Sequence, residues 1–200
     1  IKSKYKIAKR LGAGVFDQTQ TQKFALSEAR AKAKPRGRRG GSDYGRQLIE
    51  KQRVRFTYGL SERQLSNYVQ KAMHAKNPSA ALHKMLEMRA DNTMYRAGFA
   101  TTRRAGRQAV SHGHVVVNDR RIKAASHELR VGDSVSIREG SRKSPLFAGL
   151  SDKRAEEKRG VPNWLEADAT LLKIKVAKEP AYSSLEAGLD YATVFEFYSR

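Results

Sequence analysis

Residues 88–139, MRADNTMYRAGFATTRRAGRQAVSHGHVVVNDRRIKAASHELRVGDSVSIRE, decide the fold of this 200-residue chain. Asp91 can cap a first short helix, because its carboxylate can accept hydrogen bonds from the free backbone N–H groups of the first turn. Thr101 or Thr102 can cap a second helix, which we expect to end near Gly113. The stretch therefore begins with two short helices.

The second half of the same stretch predicts β-strands. Residues 114–117 are rich in β-branched side chains, Asn118-Asp119 suits a two-residue turn, and residues 120–122 would form the returning strand. Gly132-Asp133 predicts another turn, after which polar and apolar residues alternate over residues 134–138. Together these signals predict a small α-α-β unit.

The second predicted helix carries a cluster of arginines. Arg103 and Arg107 are four residues apart, and Arg104 and Arg107 are three apart, so their guanidinium groups lie on neighbouring faces. Ala105 and Ala109 are left for the packed side and would let the helix lie close to a sheet. We therefore expect a cationic helix on the outside of this unit.

The composition indicates a polyanionic partner. The chain has 40 lysines and arginines against 20 acidic residues, a formal net charge of +20. A compact chain with this charge repels itself unless a partner such as nucleic acid supplies counter-charge. A membrane would also attract cations, but the sequence has no apolar run of about 18 residues and no long helix with a bulky apolar face. No secretory signal is visible at the start, so we expect a cytoplasmic protein.

The N-terminal region carries most of the charge. Residues 1–60 contain 16 basic and 4 acidic side chains, whereas residues 141–200 contain 10 and 9. Residues 1–41 are poor in bulky apolar side chains and end in the run KAKPRGRRGG, whose arginines can fork onto phosphate or stack on bases. We predict an arm that becomes ordered on RNA; a solvated, disordered tail is the alternative.

Three helices are predicted between this arm and the central stretch. Ser42 or Asp43 caps the first, which runs to Tyr58; Ser61–Gln64 fits a capping box for the second; and Asn77-Pro78 starts the third. The aromatic, methionine and leucine residues of these helices recur at the spacing of a buried stripe. We interpret them as core rather than as a platform for RNA bases.

Three further elements are predicted after residue 140. Residues 146–159 indicate a short helix, and Leu172–Val176 alternates like a strand with one buried face. Residues 194–200 are interpreted as a last strand.

The central stretch resembles the RNA-binding module named after small-subunit ribosomal protein S4. The resemblance is carried by Arg89, Asp91, Asn92, Tyr95, Arg96, Gly98, Phe99, Thr102-Arg103, Ala105, Arg107-Gln108, Ser111–His114, Val117-Asn118 and Gly132-Asp133. Similar modules occur in pseudouridine synthases, some tRNA synthetases and stress proteins, so the flanking segments have to discriminate between these classes.

The flanks are similar to the helical domain of the bacterial ribosomal protein S4 family. The matching residues are Ser42–Gly45, Gln47-Leu48, Glu50–Arg55, Tyr58-Gly59 and Glu62–Leu65, with further segments around Trp164 and at residues 194–200. Enzymes that carry the module lack this helical segment. The resemblance to the S4 family therefore extends over nearly the whole chain.

The resemblance implies an α+β fold in three parts. A basic N-terminal arm, residues 1–41, precedes a mainly helical domain made of residues 42–88 and 140–200. The S4-type module, residues 89–139, is inserted into that domain. Residues from about 140 onward should then pack back on residues 42–88.

The resemblance also implies a function without a cofactor. Such proteins bind the 5′ domain of small-subunit rRNA at a junction of helices, nucleate assembly of the subunit body, and lie near the mRNA entrance beside protein S5, where they influence decoding accuracy. The alternative is a stand-alone RNA chaperone or RNA-modifying factor that uses the same module. A messenger or DNA repressor is a third possibility, although no helix-turn-helix with dimer symmetry is visible.

The candidate RNA-binding residues are basic side chains in the arm, the first helix after it and the module. The predicted principal phosphate surface consists of Arg103, Arg104 and Arg107 together with Arg46, Lys51, Arg53 and Arg55. The other candidates are Arg36, Arg38 and Arg39 of the arm and His112, His114, Arg120 and Arg121 of the module. Because A-form RNA hides its major-groove edges, these groups should read shape and backbone rather than sequence.

No catalytic, metal or small-molecule site is predicted. Cysteine is absent from the sequence, which excludes disulfides and cysteine zinc sites. His112 and His114 would supply only two metal ligands, and they already fit a helix-to-strand turn. Arg89-Ala90-Asp91 faintly resembles the arginine-aspartate signature of pseudouridine synthases, but there is no second large domain to form a nucleotide pocket.

Overall fold

The computed structural model describes residues 3–32, 42–147, 160–168, 170–183 and 188–199. The chain divides into two compact units. We call Ile1–Leu82 with Tyr182–Arg200 the helical unit, and His83–Ala181 the sheet unit. The fold class is α+β, as predicted.

The helices and strands of the described residues follow the chain in this order. The helices are α1 (Lys4–Leu11), α2 (Gln22–Lys32), α3 (Asp43–Thr57), α4 (Glu62–Met73), α5 (Pro78–Glu87), α6 (Ala90–Arg96), α7 (Arg103–Ser111), α8 (Glu139–Arg142) and α9 (Tyr191–Tyr198). The strands are β1 (Val115–Val117), β2 (Arg120–Arg121), β3 (Ser134–Ile137), β4 (Leu165–Asp168) and β5 (Lys173–Val176). None of the described helices is both long and apolar enough to cross a membrane.

Most predicted helix starts are confirmed. The Ser42 hydroxyl caps α3, Ser61 and Gln64 form a complete capping box on α4, and the Thr102 hydroxyl caps α7. The predicted capping role of Asp91 is wrong, because Arg89 occupies the N-cap position of α6. Asp91 lies within the first turn, where its carboxylate accepts hydrogen bonds from the Arg89 guanidinium.

The prediction of an N-terminal arm is wrong for the part of the arm that the structure describes. α1, α2 and two 3-10 turns, Ala13–Val15 and Asp17–Thr19, fold this region. The apolar side chains that drive the folding are few but well spaced, and the buried ones are Ala8, Leu11, Val15 and Phe24. The basic run at residues 33–41 lies outside the described residues.

The strands of the described residues form one antiparallel sheet of order β2-β1-β3-β5-β4. The predicted hairpin is confirmed: β1 pairs with β2 around a turn in which Asn118 and Asp119 both adopt positive φ, at 46° and 63°. Such values at both central residues are those of a type I′ turn, whose twist matches that of the flanking strands. The alternation predicted for residues 134–138 and 172–176 is also confirmed, since Val135, Ile137, Ile174 and Val176 are buried.

The prediction that residues 140 onward return to residues 42–88 is wrong for most of that segment. β5 pairs with β3 and β4 pairs with β5, so both strands extend the sheet of the module. Trp164 and Leu165 belong to the same core as Met94 and Val110. The alternating apolar side chains of β5 complete that core, and only residues 182–200 belong to the helical unit. Most of the predicted helix at residues 146–159 lies outside the described residues.

The prediction of a C-terminal strand is also wrong, because residues 191–198 form α9. The Asp190 side chain caps this helix by accepting from the Thr193 amide. α9 packs on α3, and the hydroxyls of Tyr58 and Tyr191 lie 3.2 Å apart in the core of the helical unit. The aromatic residues of this segment are compatible with a strand or with a helix. The Asp190 cap and the packing on α3 stabilise the helix.

The close approach of α7 to α6 depends on Gly106. This glycine is buried on the inner face of α7, and a β-carbon there would overlap the backbone carbonyl oxygen of Asp91. Met94 of α6 lies next to the same position. At Gly106 the two helices therefore come too close to leave room for a side chain.

We expect the substitution Gly106→Ala to destabilise the sheet unit by about 1 to 3 kcal/mol, because overlap outweighs the gain in helix propensity. Gly140→Ala is the matched control, since a β-carbon at this position in α8 meets nothing within 4 Å. Urea unfolding followed by the fluorescence of Trp164, the single tryptophan of the sequence, reports on this unit. Equal stability of the two variants would contradict the close packing.

Candidate nucleic-acid interface

α7 presents a polar face to solvent and an apolar face to the sheet core. The Thr102 hydroxyl accepts from the Ala105 amide at 3.1 Å, which fixes the start of the helix. Gly106, Ala109 and Val110 are buried. Arg104 lies on the exposed side, so the predicted cationic helix on the outside of the module is confirmed.

The other two arginines of α7 are half-buried rather than fully exposed. Arg103 donates from Nε to the Oδ1 atom of Asn92 at 2.9 Å. Its guanidinium carbon lies 4.5 Å from the centre of the Tyr95 ring, within the range of a cation–π contact. Arg103 is thus held by α6, while Arg104 extends into solvent.

The C-terminal end of α7 brings together further candidate residues. The rings of His112 and His114 lie 5.9 Å apart, and the Nδ1 atom of His114 lies 2.9 Å from the Ser141 hydroxyl. Arg121 donates from Nε to the Gly113 carbonyl at 2.9 Å, which closes the helix end. Arg121 therefore closes the end of α7, and its side chain is exposed, as are those of Arg120 and His112.

The predicted cluster on α3 is largely an internal ion-pair network. Lys51 is buried and donates to Glu62 at 2.7 Å, and its ammonium lies 4.3 Å from the centre of the Phe197 ring. Arg53 donates to Glu50 at 2.6 Å. These contacts direct the cations into the helical unit, so the prediction that Lys51 lies on a phosphate surface is wrong.

The remaining two members of that cluster differ from each other. Arg55 lies 3.4 Å from Glu62 and is about one-third exposed, so it is also part of the network. The Arg46 side chain is 68% exposed, and its contact with Asp43, which is 80% exposed, is long, at 3.5 Å. An exposed pair of this kind contributes little to stability. Arg46 is therefore the member of the α3 cluster that is best placed to meet an external anion.

The network on α3 shifts the pKa values of its acidic members. Burial alone would raise the pKa of the Glu62 carboxyl, but hydrogen bonds from Lys51 and Tyr198 and the charges of Lys51 and Arg55 outweigh it. The pKa of Glu62 is therefore lowered, and this carboxylate stays ionised at neutral pH. Burial and the neighbouring Glu62 carboxylate raise the pKa of the Tyr198 hydroxyl, which stays protonated and donates to Glu62 at 2.8 Å.

An open groove of about 620 Å³ in the helical unit has acceptor groups at its wall. It is lined by Gln47, Pro78, Ser79, Ala192, Phe195, Glu196 and Ser199. Gln47 is buried and donates from Nε2 to Glu196 at 3.0 Å, while no group among the described residues donates to its Oε1 atom. No local signal indicates this groove, because Gln47 and Glu196, which are hydrogen-bonded at its wall, are 149 positions apart in the sequence.

The sequence predicts no metal site, and it places three candidate RNA-binding arginines in the basic run before α3. Within the part of the chain that the structure describes, no group of three histidine, cysteine, aspartate or glutamate side chains is placed to hold a metal ion. The candidate residues Arg36, Arg38 and Arg39 lie outside that part, so their positions are not described.

The sequence matches two protein families in succession. Residues 1–88 match the ribosomal protein S4/S9 N-terminal domain, and residues 88–135 match the S4 domain. Small ribosomal subunit protein uS4 of Roseiflexus sp. (strain RS-1) is 38% identical over 200 residues, which covers 98% of this chain and 96% of the relative. The chain belongs to the ribosomal protein uS4 family.

More distant uS4 relatives align over the same length. The protein of Chloroflexus aurantiacus (strain ATCC 29366 / DSM 635 / J-10-fl) is 37% identical and that of Borrelia duttonii (strain Ly) is 35% identical, with at least 98% of this chain and 96% of each relative covered. The predicted family is thereby confirmed. As a uS4 protein, the chain is a structural constituent of the ribosome in the cytoplasm, and it is not an enzyme.

Lys51 and Arg46 provide a direct test of which α3 cation is structural. We expect Lys51→Ala to destabilise the helical unit by about 1 to 3 kcal/mol, because a charged hydrogen bond and the cation–π contact of the ammonium with Phe197 are lost. Arg46→Ala should leave stability unchanged within about 0.5 kcal/mol. Native-state hydrogen exchange of the α3 amides measures both effects. Equal protection in the two variants would refute the structural role of Lys51.

Proposed function

We propose that this uS4 protein is a primary rRNA-binding protein of the small subunit. In this proposal it binds the 5′ domain of small-subunit rRNA at a junction of helices and nucleates assembly of the subunit body. It also lies near the mRNA entrance, contacts protein S5 and contributes to decoding accuracy. The cationic face of α7, which packs against the sheet core, is the observation that supports rRNA binding.

The arrangement of charge supports recognition of RNA shape. Arg103, Arg104 and Arg107 lie within two turns of one helix, and α7 begins with backbone N–H groups that favour an anion. Helix and sheet pack through a buried core, so the spacing between these cations is fixed before binding. Fixed cations at several points suit the phosphate backbone of a folded junction better than they suit a flexible strand.

The α3 ion pairs reduce the number of cations that are available to RNA. Lys51, Arg53 and Arg55 are paired with carboxylates of the helical unit, so we leave these three cations out of the proposed phosphate surface. The exposed candidates that remain on the described residues are Arg46, Arg104, His112, Arg120 and Arg121, and Arg103, Arg107 and His114 are half-buried. We therefore assign the phosphate surface of the sheet unit to α7 and the adjoining hairpin.

We expect the double variant Arg103→Glu and Arg107→Glu to weaken binding to the isolated 5′ domain roughly a hundredfold, because two charge-assisted contacts are lost. Each lost phosphate contact should also reduce the slope of log affinity against log salt by about 0.7 to 0.9. A filter-binding titration from about 50 to 200 mM salt measures both quantities.

The control is the double variant Arg130→Glu and Lys178→Glu, which changes the net charge equally at two exposed positions outside α7. It should weaken binding less than the α7 variant. If both variants behaved alike, total charge rather than the α7 surface would govern binding. If the unaltered protein bound an equal mass of tRNA as tightly as the 5′ domain at about 200 mM salt, the RNA chaperone alternative would replace the rRNA proposal.

The groove on the helical unit supports a contact with a neighbouring protein rather than with RNA. The Glu196 carboxylate and the Oε1 atom of Gln47 are acceptors, and both would repel or fail to bind phosphate. The Phe195 ring and Pro78 add apolar surface. A lysine or arginine side chain with its aliphatic stem matches this combination. We assign the groove to a basic side chain of protein S5.

We expect Glu196→Gln to weaken binding of purified protein S5 about tenfold, because a charged hydrogen bond is lost, while the new amide can still accept from Gln47. Glu166→Gln on the exposed side of β4 is the matched control and should have no effect. Calorimetric titration of each variant with protein S5 measures the affinities. Equal affinity for both variants would move the contact away from this groove.

A further inference from the structure

A buried carboxylate lies at the start of the sheet unit. Glu87, the last residue of α5, is 1% exposed. Arg96 donates to both of its oxygens, from Nε to Oε2 at 2.7 Å and from Nη2 to Oε1 at 2.8 Å. Such a forked pair satisfies the charge of a carboxylate that burial would otherwise destabilise.

Asn92 connects the Glu87–Arg96 pair to Arg103 of α7. The asparagine is 2% exposed, and its Nδ2 atom donates to the Glu87 Oε2 atom at 3.0 Å and to the Glu87 carbonyl oxygen at 3.3 Å. On its other side, Oδ1 accepts from the Nε atom of Arg103 at 2.9 Å. The carboxylate can only accept and the guanidinium can only donate, so chemistry permits one orientation of the amide.

Arg103 is restrained at two points as a result. The hydrogen bond to Asn92 fixes the direction of Nε, and the Tyr95 ring lies 4.5 Å from the guanidinium carbon. One contact orients the guanidinium plane, and the other supports its face. Free arginine side chains lose considerable rotamer entropy on binding, and a side chain already ordered by its own protein avoids much of that loss.

We propose that Asn92 is a positioning residue for RNA binding, because it transmits the fixed geometry of the Glu87–Arg96 pair to Arg103. Asn92 does not contact RNA in this scheme, and its side chain carries no charge. It holds the Arg103 guanidinium in the orientation that meets a phosphate. The proposal rests on the proposed function, in which Arg103 binds rRNA.

A double-mutant cycle with the 5′ domain of small-subunit rRNA tests this role. Asn92→Ala should weaken binding roughly three- to tenfold, since one rotamer-rich side chain must then be ordered during binding. Its salt slope should stay unchanged, because every cation is retained. Arg103→Ala should lower both affinity and slope. Adding Asn92→Ala to Arg103→Ala should weaken binding no further, because the positioned group is already absent.

Arg104→Ala is the matched control, since Arg104 is an exposed arginine adjacent on α7. Asn92→Ala should weaken binding in the Arg104→Ala background as much as it does in the unaltered protein. Additive losses of Asn92→Ala and Arg103→Ala would overturn the positioning role while leaving the RNA surface intact. An Arg103→Ala variant with unchanged affinity and salt slope would overturn both the positioning role and the RNA-binding role of Arg103.

A measurement without RNA keeps the proposal testable if Asn92→Ala perturbs folding. Nuclear magnetic relaxation of the arginine Nε–H groups in the unaltered protein should give a high order parameter for Arg103 and a low one for Arg104. Tyr95→Leu, which removes the supporting ring and retains every cation, should lower the Arg103 value and weaken RNA binding without changing the salt slope. Equal order parameters for the two arginines would refute the proposal.

Discussion

The sheet unit depends on a buried ion pair at its start. Arg89 donates to the Asp91 carboxylate from Nε at 3.0 Å and from Nη2 at 2.6 Å, and both side chains are almost fully buried. Buried charges are tolerated only when they are paired with good geometry, so this pair fixes where α5 ends and α6 begins. The surrounding backbone pairs with residues 127–129, through Ala90 N–H to the His127 carbonyl and Leu129 N–H to the Met88 carbonyl. Both α6 and the last loop before β3 are thereby attached to one point.

The same principle separates the cations of this chain into two classes. Cations with an acidic neighbour in the fold, such as Lys51 and Arg96, stabilise the protein itself. Cations such as Arg104 have an exposed position on a helix and, in the proposed function, provide charge for a polyanion. A net charge of +20 alone cannot distinguish the classes, since both contribute equally to it. Only the three-dimensional placement of the acidic residues does so.

Local signals in the sequence predicted local structure well, and long-range pairing accounts for the errors. The Ser61 capping box, the Asn118-Asp119 turn and the alternation of β5 each depend on residues within a few positions, and all three are confirmed. The sequence could not indicate that β5 joins β3, that Lys51 meets Glu62, or that residues 191–198 lie on α3 as a helix. In residues 1–41, the few apolar residues at helical spacing are separated by many lysines. The helical pattern was therefore not recognised, and an arm was predicted instead. The exposed charge of α7 was predictable from its own sequence, whereas the partner that a distant element supplies, such as Glu62 for Lys51, was not.

The chain order of the two units has a consequence for protein synthesis. The sheet unit is one continuous segment, His83–Ala181, whereas the helical unit combines the first 82 residues with residues 182–200. α3 therefore leaves the ribosome more than one hundred residues before α9, which supplies Phe197 beneath Lys51 and Tyr191 beside Tyr58. At about 5 to 20 residues per second, the aromatic and charged surface of α3 stays uncovered by α9 for about 7 to 27 seconds. During that interval the sheet unit can complete its own core, so the nascent chain carries a finished RNA-binding module before its first domain is closed.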